Sequence, residues 1–216
     1  MNLIFLGQQG SGKGTFAQYV SARKGLVQIS AGDLLRAEVK AETNLGKKVK
    51  EIINKGELVP DELIAKLIEK KIEKEKDKGV ILDGFPRTLN QTELLEKVTE
   101  KHNLKINAAI NFTISDKTTF KRIGGRLTCI KCGKVYNKES NPPKEKEKCD
   151  SCKGKVVTRD DDTEQAIQKR LELYKKQTKP LINYYKEKGL LKEFDAEPSL
   201  QKLKPKFDKL LKEIEN

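Results

Sequence analysis

Two stretches of this chain carry residue types whose spacing implies chemistry. The first is Gly7-Gln8-Gln9-Gly10-Ser11-Gly12-Lys13-Gly14-Thr15. An apolar run, Leu3 to Leu6, precedes it, and helical spacing follows from about Lys13 to Lys24. Glycines between a strand and a helix let backbone N–H groups turn inward without Cβ clashes. Those donors and the positive helix end cradle phosphate oxygens. Gly10, Ser11, Gly12, Lys13, Gly14 and Thr15 are therefore candidate phosphate contacts, with Lys13 as a point charge that can follow a moving phosphate. The strict pattern puts Ser or Thr directly after the lysine. Here Gly14 intervenes and the hydroxyl comes at Thr15, which leaves direct magnesium ligation by that hydroxyl open.

The second stretch holds all four cysteines. Cys129-x-x-Cys132 and Cys149-x-x-Cys152 are separated by the sixteen residues Gly133 to Lys148. That spacing fits a tetrahedral zinc site with four thiolates and no open coordination position, hence a structural one. Two disulfides are the alternative, and a reducing compartment disfavours them. A minidomain of this size has little apolar core, so bound metal would supply the missing folding free energy.

Arginine supplies a third signal. Arg36, Arg87, Arg122, Arg126, Arg159 and Arg170 stand outside the Lys/Glu-rich helix faces. A guanidinium grips phosphate through two parallel N–H donors, which a lysine cannot do. Transfer of a phosphoryl group between two nucleotides crowds many anionic oxygens together, and several fixed guanidinium groups are the expected answer.

The elements that must position these groups can be read from the pattern. Leu3–Leu6, Leu26–Ile29, Gly79–Asp83, Asn107–Phe112 and Leu190–Phe194 read as strands. Ser30 with Asp33 resembles an N-cap and its partner, Asp61 opens a long helix after Pro60, and Thr88-x-x-Gln91 forms a capping box. Thr163 begins an amphipathic helix expected to run to about Lys188, and a last helix follows Pro198. Alternating strands and helices predict an α/β fold with a parallel sheet covered on both faces. Residues 125–160 break that rhythm and read as an inserted minidomain with small strands at 134–136 and 155–157.

The 216 residues carry a net charge of +13, with 36% hydrophobic and 36% charged residues. No apolar run approaches the ~20 residues of a membrane span. The N-terminus lacks the basic flank of a signal peptide. A cytoplasmic protein is therefore expected. Much of the lysine falls on Lys/Glu helix faces, such as residues 69–76, which read as solvated surface. The single histidine, His102, follows a charged helix end and reads as a surface residue.

The chain resembles the adenylate kinases, in the long form with a zinc-bearing lid. The resemblance rests on Gly12-Lys13-Gly14-Thr15, residues 30–36, Asp83-Gly84-Phe85-Pro86-Arg87, Gln91, Arg159-Asp160-Asp161-Asp162 and Arg170, and runs from Met1 to about Phe194. It implies a P-loop NTPase-type sheet with a helical insert for the monophosphate at about 30–59 and a zinc lid at about 122–160. The core would comprise 1–29, 60–121 and 161–216. It implies the reaction ATP + AMP ⇌ 2 ADP with magnesium, in a monomer with no nucleic-acid or membrane partner.

The resemblance also implies roles. Lys13, Arg122 and Arg126 would hold the triphosphate, with Val135 and Tyr136 near its base in the closed lid and Pro198 contacting adenine. Arg36, Arg87, Arg159 and Arg170 would hold the monophosphate and the group in flight. Ala31, Glu57, Leu58, Val59, Gly84, Phe85 and Pro86 would line the monophosphate site, and Gln91 would read its adenine edge. Asp33 and Asp83 would hold magnesium through its waters, and Asp161 and Asp162 would bond across the hinge as the lid closes. Four positions depart from the family pattern. A hydroxyl residue is usual at Ala31, a proline at Gln9 and a glutamine at Phe16, and the turn Asp195–Pro198 lacks its usual glycine.

Two other functions fit the residues. One is a kinase for GMP or for UMP/CMP, against which Gln91 and the four-cysteine lid argue. The other is a P-loop protein that grips RNA or DNA through a zinc ribbon. The acidic residues Glu139, Glu145, Glu147 and Asp150, and the scarcity of aromatics in that ribbon, argue against it.

Overall fold

The structure is a computed structural model and describes residues 1–215. Its centre is a five-stranded parallel sheet in the order β2-β3-β1-β4-β8. The strands are β1 (Leu3–Leu6), β2 (Val27–Ser30), β3 (Val80–Asp83), β4 (Ala108–Thr113) and β8 (Leu191–Asp195). Each lies within a residue of the expected segment. The register pairs Leu3 with Ile81 and Ala108, Ser30 with Asp83 and Phe112 with Phe194. All five carboxyl ends therefore open on one edge, where ligands of such sheets bind.

Side chains of a strand alternate between faces, so β1 feeds two cores. Ile4 and Leu6 pack with Ile64, Ile68 and Ile72 of α4 (Asp61–Glu75), Leu95 of α5 (Leu89–Lys101) and Leu181 of α8 (Pro180–Glu187). Leu3 and Phe5 pack on the other face with α1 (Lys13–Lys24) and α9 (Leu200–Glu215). Phe16 belongs to that second core. Its ring lies 4.5 Å from Phe207 and 5.5–5.6 Å from Phe194 and Phe112, so the residue that departs from the family's glutamine completes an aromatic cluster.

The chain leaves this layered core twice. After β2, Ser30 caps α2 (Ala31–Lys40) by accepting from the Asp33 N–H at 3.3 Å, and α3 (Asn44–Asn54) packs back against α2. After α6 (Asp116–Gly124), a three-stranded antiparallel sheet forms in the order β6-β5-β7, from Val135–Asn137, Arg126–Cys129 and Val156–Val157. Its own core is small: Leu127, Tyr136, Val156 and three of the cysteines.

The helix expected over residues 163–188 is interrupted. Thr163 caps α7 (Glu164–Leu173), a π-helical turn follows at Tyr174–Thr178, and α8 resumes at Pro180. The Lys179 N–H bonds to the Tyr174 carbonyl at 2.8 Å, five residues back. Pro180 has no N–H to continue the α pattern, and the extra residue in that turn absorbs the defect. The turn has a second use, because the Thr178 hydroxyl donates to the Arg87 carbonyl at 2.9 Å beside the cleft described next. Among the described residues, no helix is long and apolar enough to cross a membrane.

Candidate active site

The loop after β1 needs its glycines. Gly7, Gly10 and Gly12 have φ of 132°, 79° and 94°, which side chains rarely adopt. A Cβ on Gly7 would also sit 2.4 Å from the Phe112 carbonyl oxygen. The loop wraps around Lys13, whose ammonium donates to the Gly7 carbonyl at 2.7 Å and the Gln8 carbonyl at 2.9 Å. Burial lowers the Lys13 pKa to about 8, against the nearby Asp83 carboxylate, which raises it. Gly14 has a role of its own. A Cβ there would lie 3.3 Å from Asp83 Oδ2, so glycine in place of the usual hydroxyl residue leaves room for that carboxylate beside the loop. Asp83 is raised in pKa by burial, opposed by Lys13, and accepts from Gln28 Nε2 at 3.1 Å.

The loop, both excursions and α7 converge on one cavity of about 670 Å³. Lys13, Lys204 and the six arginines Arg36, Arg87, Arg122, Arg126, Arg159 and Arg170 line it, against Asp33, Glu57, Asp83, Asp161 and Glu197. Eight cations face five carboxylates, a surplus of three positive charges. Burial, and then repulsion from Arg170, pushes the Arg87 pKa down. Burial, and then Arg36 and Arg126, does the same to Arg159. Such crowding favours a ligand rich in anionic oxygens.

Neighbouring groups hold the guanidinium groups in place. Arg36 donates to Asp33 Oδ1 at 2.6 Å, and Arg170 to Asp161 Oδ2 at 2.6 Å and the Ile53 carbonyl at 3.1 Å. Arg159 Nε donates to the Thr128 hydroxyl at 2.9 Å. Arg87 Nε donates to the Gly84 carbonyl at 2.7 Å. Arg122 reaches the carbonyls of Ala196, Glu197 and Pro198 at 2.9, 2.9 and 3.2 Å, so it ties helix α6 to the turn after β8. Arg126 makes a two-point pair with Asp162, with Nε to Oδ2 at 2.7 Å.

Ala31, Glu57, Leu58, Val59, Gly84, Pro86 and Gln91 line the cavity together, as do the loop residues 10–15, Asp33, Val135, Tyr136 and Pro198. Two of the expected site residues stand apart. The Phe85 ring is buried in the core beneath α4 and α5, and the Asp162 side chain is only 1% exposed behind Arg126. Tyr136 reaches the cavity wall but turns its ring into the small lid core, where its hydroxyl donates to Cys149 Sγ at 3.3 Å. Asp161 connects the chain beyond the lid to the first excursion, since Arg36 Nη1 lies 3.7 Å from the same oxygen that Arg170 grips.

Sequence reasoning missed three polar contacts. Gln9 Nε2 donates to Asp162 Oδ1 at 3.1 Å and joins the phosphate loop to the lid base. Gln28 holds Asp83, and its signal was a polar residue inside an apolar strand. Gln18 Nε2 donates to the Gly133 carbonyl at 3.2 Å and links α1 to the lid.

The four cysteine sulfurs lie within 4.8 Å of one another. Cys129 and Cys152 are 3.5 Å apart and Cys132 and Cys149 3.6 Å, far beyond a sulfur–sulfur bond. Tetrahedral zinc with bonds of about 2.3 Å needs sulfurs about 3.8 Å apart, so the cluster fits that ion. Burial raises the Cys149 thiol, but the Tyr136 hydroxyl and the backbone N–H groups of Cys152 and Ser151 outweigh it and bring the pKa to about 6.

A phosphate loop at the head of a parallel sheet, with two excursions closing over a cationic cleft, defines a P-loop phosphotransferase. The adenylate kinase family model matches residues 5–190. The chain is 45% identical to an adenylate kinase of Archaeoglobus fulgidus over the full length of both. It is 47% identical to one of Treponema denticola, covering 96% of this chain and 97% of that one. It is 46% identical to one of Thermotoga neapolitana, covering 90% and 89%. The chain belongs to the adenylate kinase family, and is thus a nucleoside monophosphate kinase that phosphorylates AMP.

Proposed function

We propose that the chain catalyses ATP + AMP ⇌ 2 ADP by direct transfer between two nucleotides held together in the cleft. The observation that carries this reading is the convergence of fixed cations from the phosphate loop, both excursions and α7 on one cavity. Residues 10–15 with Lys13, Arg122 and Arg126 hold the triphosphate, with Val135, Tyr136 and Pro198 along its base. Arg36, Arg87, Arg159 and Arg170 hold the monophosphate and the group in flight. Ala31, Glu57–Val59, Gly84 and Pro86 wall the monophosphate site, and Gln91 reads the base. Phe85 supports that wall from the core.

The acceptor oxygen belongs to a phosphate already anionic near neutral pH, so no general base is required. The work is positioning and charge stabilisation. Residues 30–59 act as a flap over the monophosphate and residues 122–160 as a lid over the triphosphate. Closure of both excludes water, which would otherwise compete as nucleophile. Asp161 and Asp162 secure that closure through Arg36, Arg170 and Arg126. Magnesium, when bound with ATP, neutralises charge on the phosphate oxygens. Asp83, half-buried beside the loop, and Asp33 would hold it through its waters. The four cysteines would hold a structural zinc. One chain supplies every group named, so the reading requires only a monomer, working in the cytoplasm.

A coupled assay with ATP and, in parallel, AMP, GMP, CMP and UMP tests this reading. AMP should give a kcat/KM orders of magnitude above the others, as expected where a site hydrogen-bonds a base edge. Comparable turnover of another monophosphate would replace AMP as the acceptor.

A further inference from the structure

Gln91 sits at the cavity wall with only 3% of its surface exposed. A primary amide has two ends of the same size and opposite polarity, so its hydrogen-bond partners fix which way it points. Both ends of Gln91 have partners of a single polarity. Nε2 donates to Asp61 Oδ1 at 2.6 Å, and Oε1 accepts from the Arg87 backbone N–H at 2.7 Å. A carboxylate only accepts and a backbone N–H only donates. The reversed amide would set oxygen against oxygen at one end and N–H against N–H at the other. Asp61 is itself held, because its Oδ2 accepts from the Thr88 hydroxyl at 2.8 Å and from Asn90 Nδ2 at 2.9 Å.

One N–H and one carbonyl lone pair of Gln91 remain for a ligand, a donor beside an acceptor in a fixed order. The six-position edge of adenine offers a 6-amino donor beside the N1 acceptor. A 6-oxo purine offers an acceptor beside an N1–H donor, the reverse order. A freely turning amide serves both edges; a locked one serves one.

We propose that Asp61 is a positioning residue that sets base specificity. By locking the Gln91 amide together with the Arg87 backbone N–H, it makes the monophosphate site accept a 6-amino purine and reject a 6-oxo purine. This rests on the reading of Gln91 as the base reader, and the experiment separates the two.

Asp61→Asn replaces an obligate acceptor with a group that can also donate, which removes one of the two locks and leaves only the Arg87 backbone N–H to oppose turning of Gln91. Asp61→Ser does the same with a residue compatible with a helix start, and serves if the Asn variant does not fold. IMP is the probe, since it differs from AMP only at the six-position edge. The ratio of kcat/KM for AMP to that for IMP should fall at least about tenfold in either folded variant, as each unmatched edge contact is relieved. KM for ATP should stay within about twofold, since that site is untouched, and a merely structural defect would move both substrates together. Gln91→Leu is the control. If Gln91→Leu loses selectivity while both Asp61 variants keep the wild-type ratio, Asp61 has no part in specificity and the proposal fails alone. If Gln91→Leu keeps the wild-type ratio, the base reader itself is misassigned and the proposal falls with it.

Discussion

Lys13→Ala is expected to lower kcat by about a hundred- to a thousand-fold, the cost of removing one donor aimed at developing charge, while the protein stays folded. The half-buried ammonium is clasped by the Gly7 and Gln8 carbonyls at the foot of the cleft. No arginine can take its place, because the planar fork does not fit a cradle built around a compact point charge. Lys13→Arg should therefore also lose most activity, measured in the same coupled assay. A variant within tenfold of wild type would remove Lys13 from the mechanism.

The same residue gives a pH dependence with a definite sign. Burial places Lys13 at about 8. Bound phosphate oxygens favour the charged form and raise that value. Below pH 7 the ammonium is protonated in both states and contributes no pH dependence. Above pH 8 binding must take up a proton, so ATP affinity falls with rising pH, by up to about tenfold per unit from this group. Calorimetric titration with ATP at pH 7 and pH 9 should show this fall, and Lys13→Ala should lose it.

The second large effect is expected at the lid. Three of the six side chains in its core are cysteines, so with the sulfurs unbridged little apolar burial remains to hold three short strands together. Purified protein should carry about one zinc per chain, by the four-thiolate argument. Stripping the metal, or replacing both Cys149 and Cys152 with Ser, should release Arg126 and Val135 from their positions. The expected cost in kcat/KM for ATP is about a hundred-fold, the scale of a small misplacement of positioning groups. Melting should shift downward, while helix content by circular dichroism stays near that of the intact protein, because the main sheet and both its cores lie outside the lid. Unchanged melting and activity after chelation would show that the cluster contributes little.

What the sequence made legible was local. The phosphate loop and the paired cysteines are short motifs whose glycine and cysteine spacing alone dictates geometry, and β1 and the first three residues of β3 are continuous apolar runs. Contacts between distant residues were not legible. Gln9 meets Asp162 and Gln91 meets Asp61 only after the sheet is assembled, and no period or propensity encodes those meetings. The helix expected from Thr163 to about Lys188 runs through Pro180, and neither the break nor the π-helical turn before it was read from the periodicity. Phe85 shows the limit of a motif. Its neighbours Gly84, Pro86 and Arg87 line the cleft, while its own ring turns into the core. Gly14 shows the reverse case, where a departure from the strict loop pattern gains a steric reason once Asp83 is seen beside it.

The central claim is that phosphate passes directly between two nucleotides bound at once, with no phosphorylated enzyme between them. Initial rates measured over a grid of ATP and AMP concentrations test it most directly. Double-reciprocal lines that intersect are the predicted result, because both substrates must occupy the cleft before transfer. Parallel lines, the signature of a covalent enzyme intermediate, would contradict it.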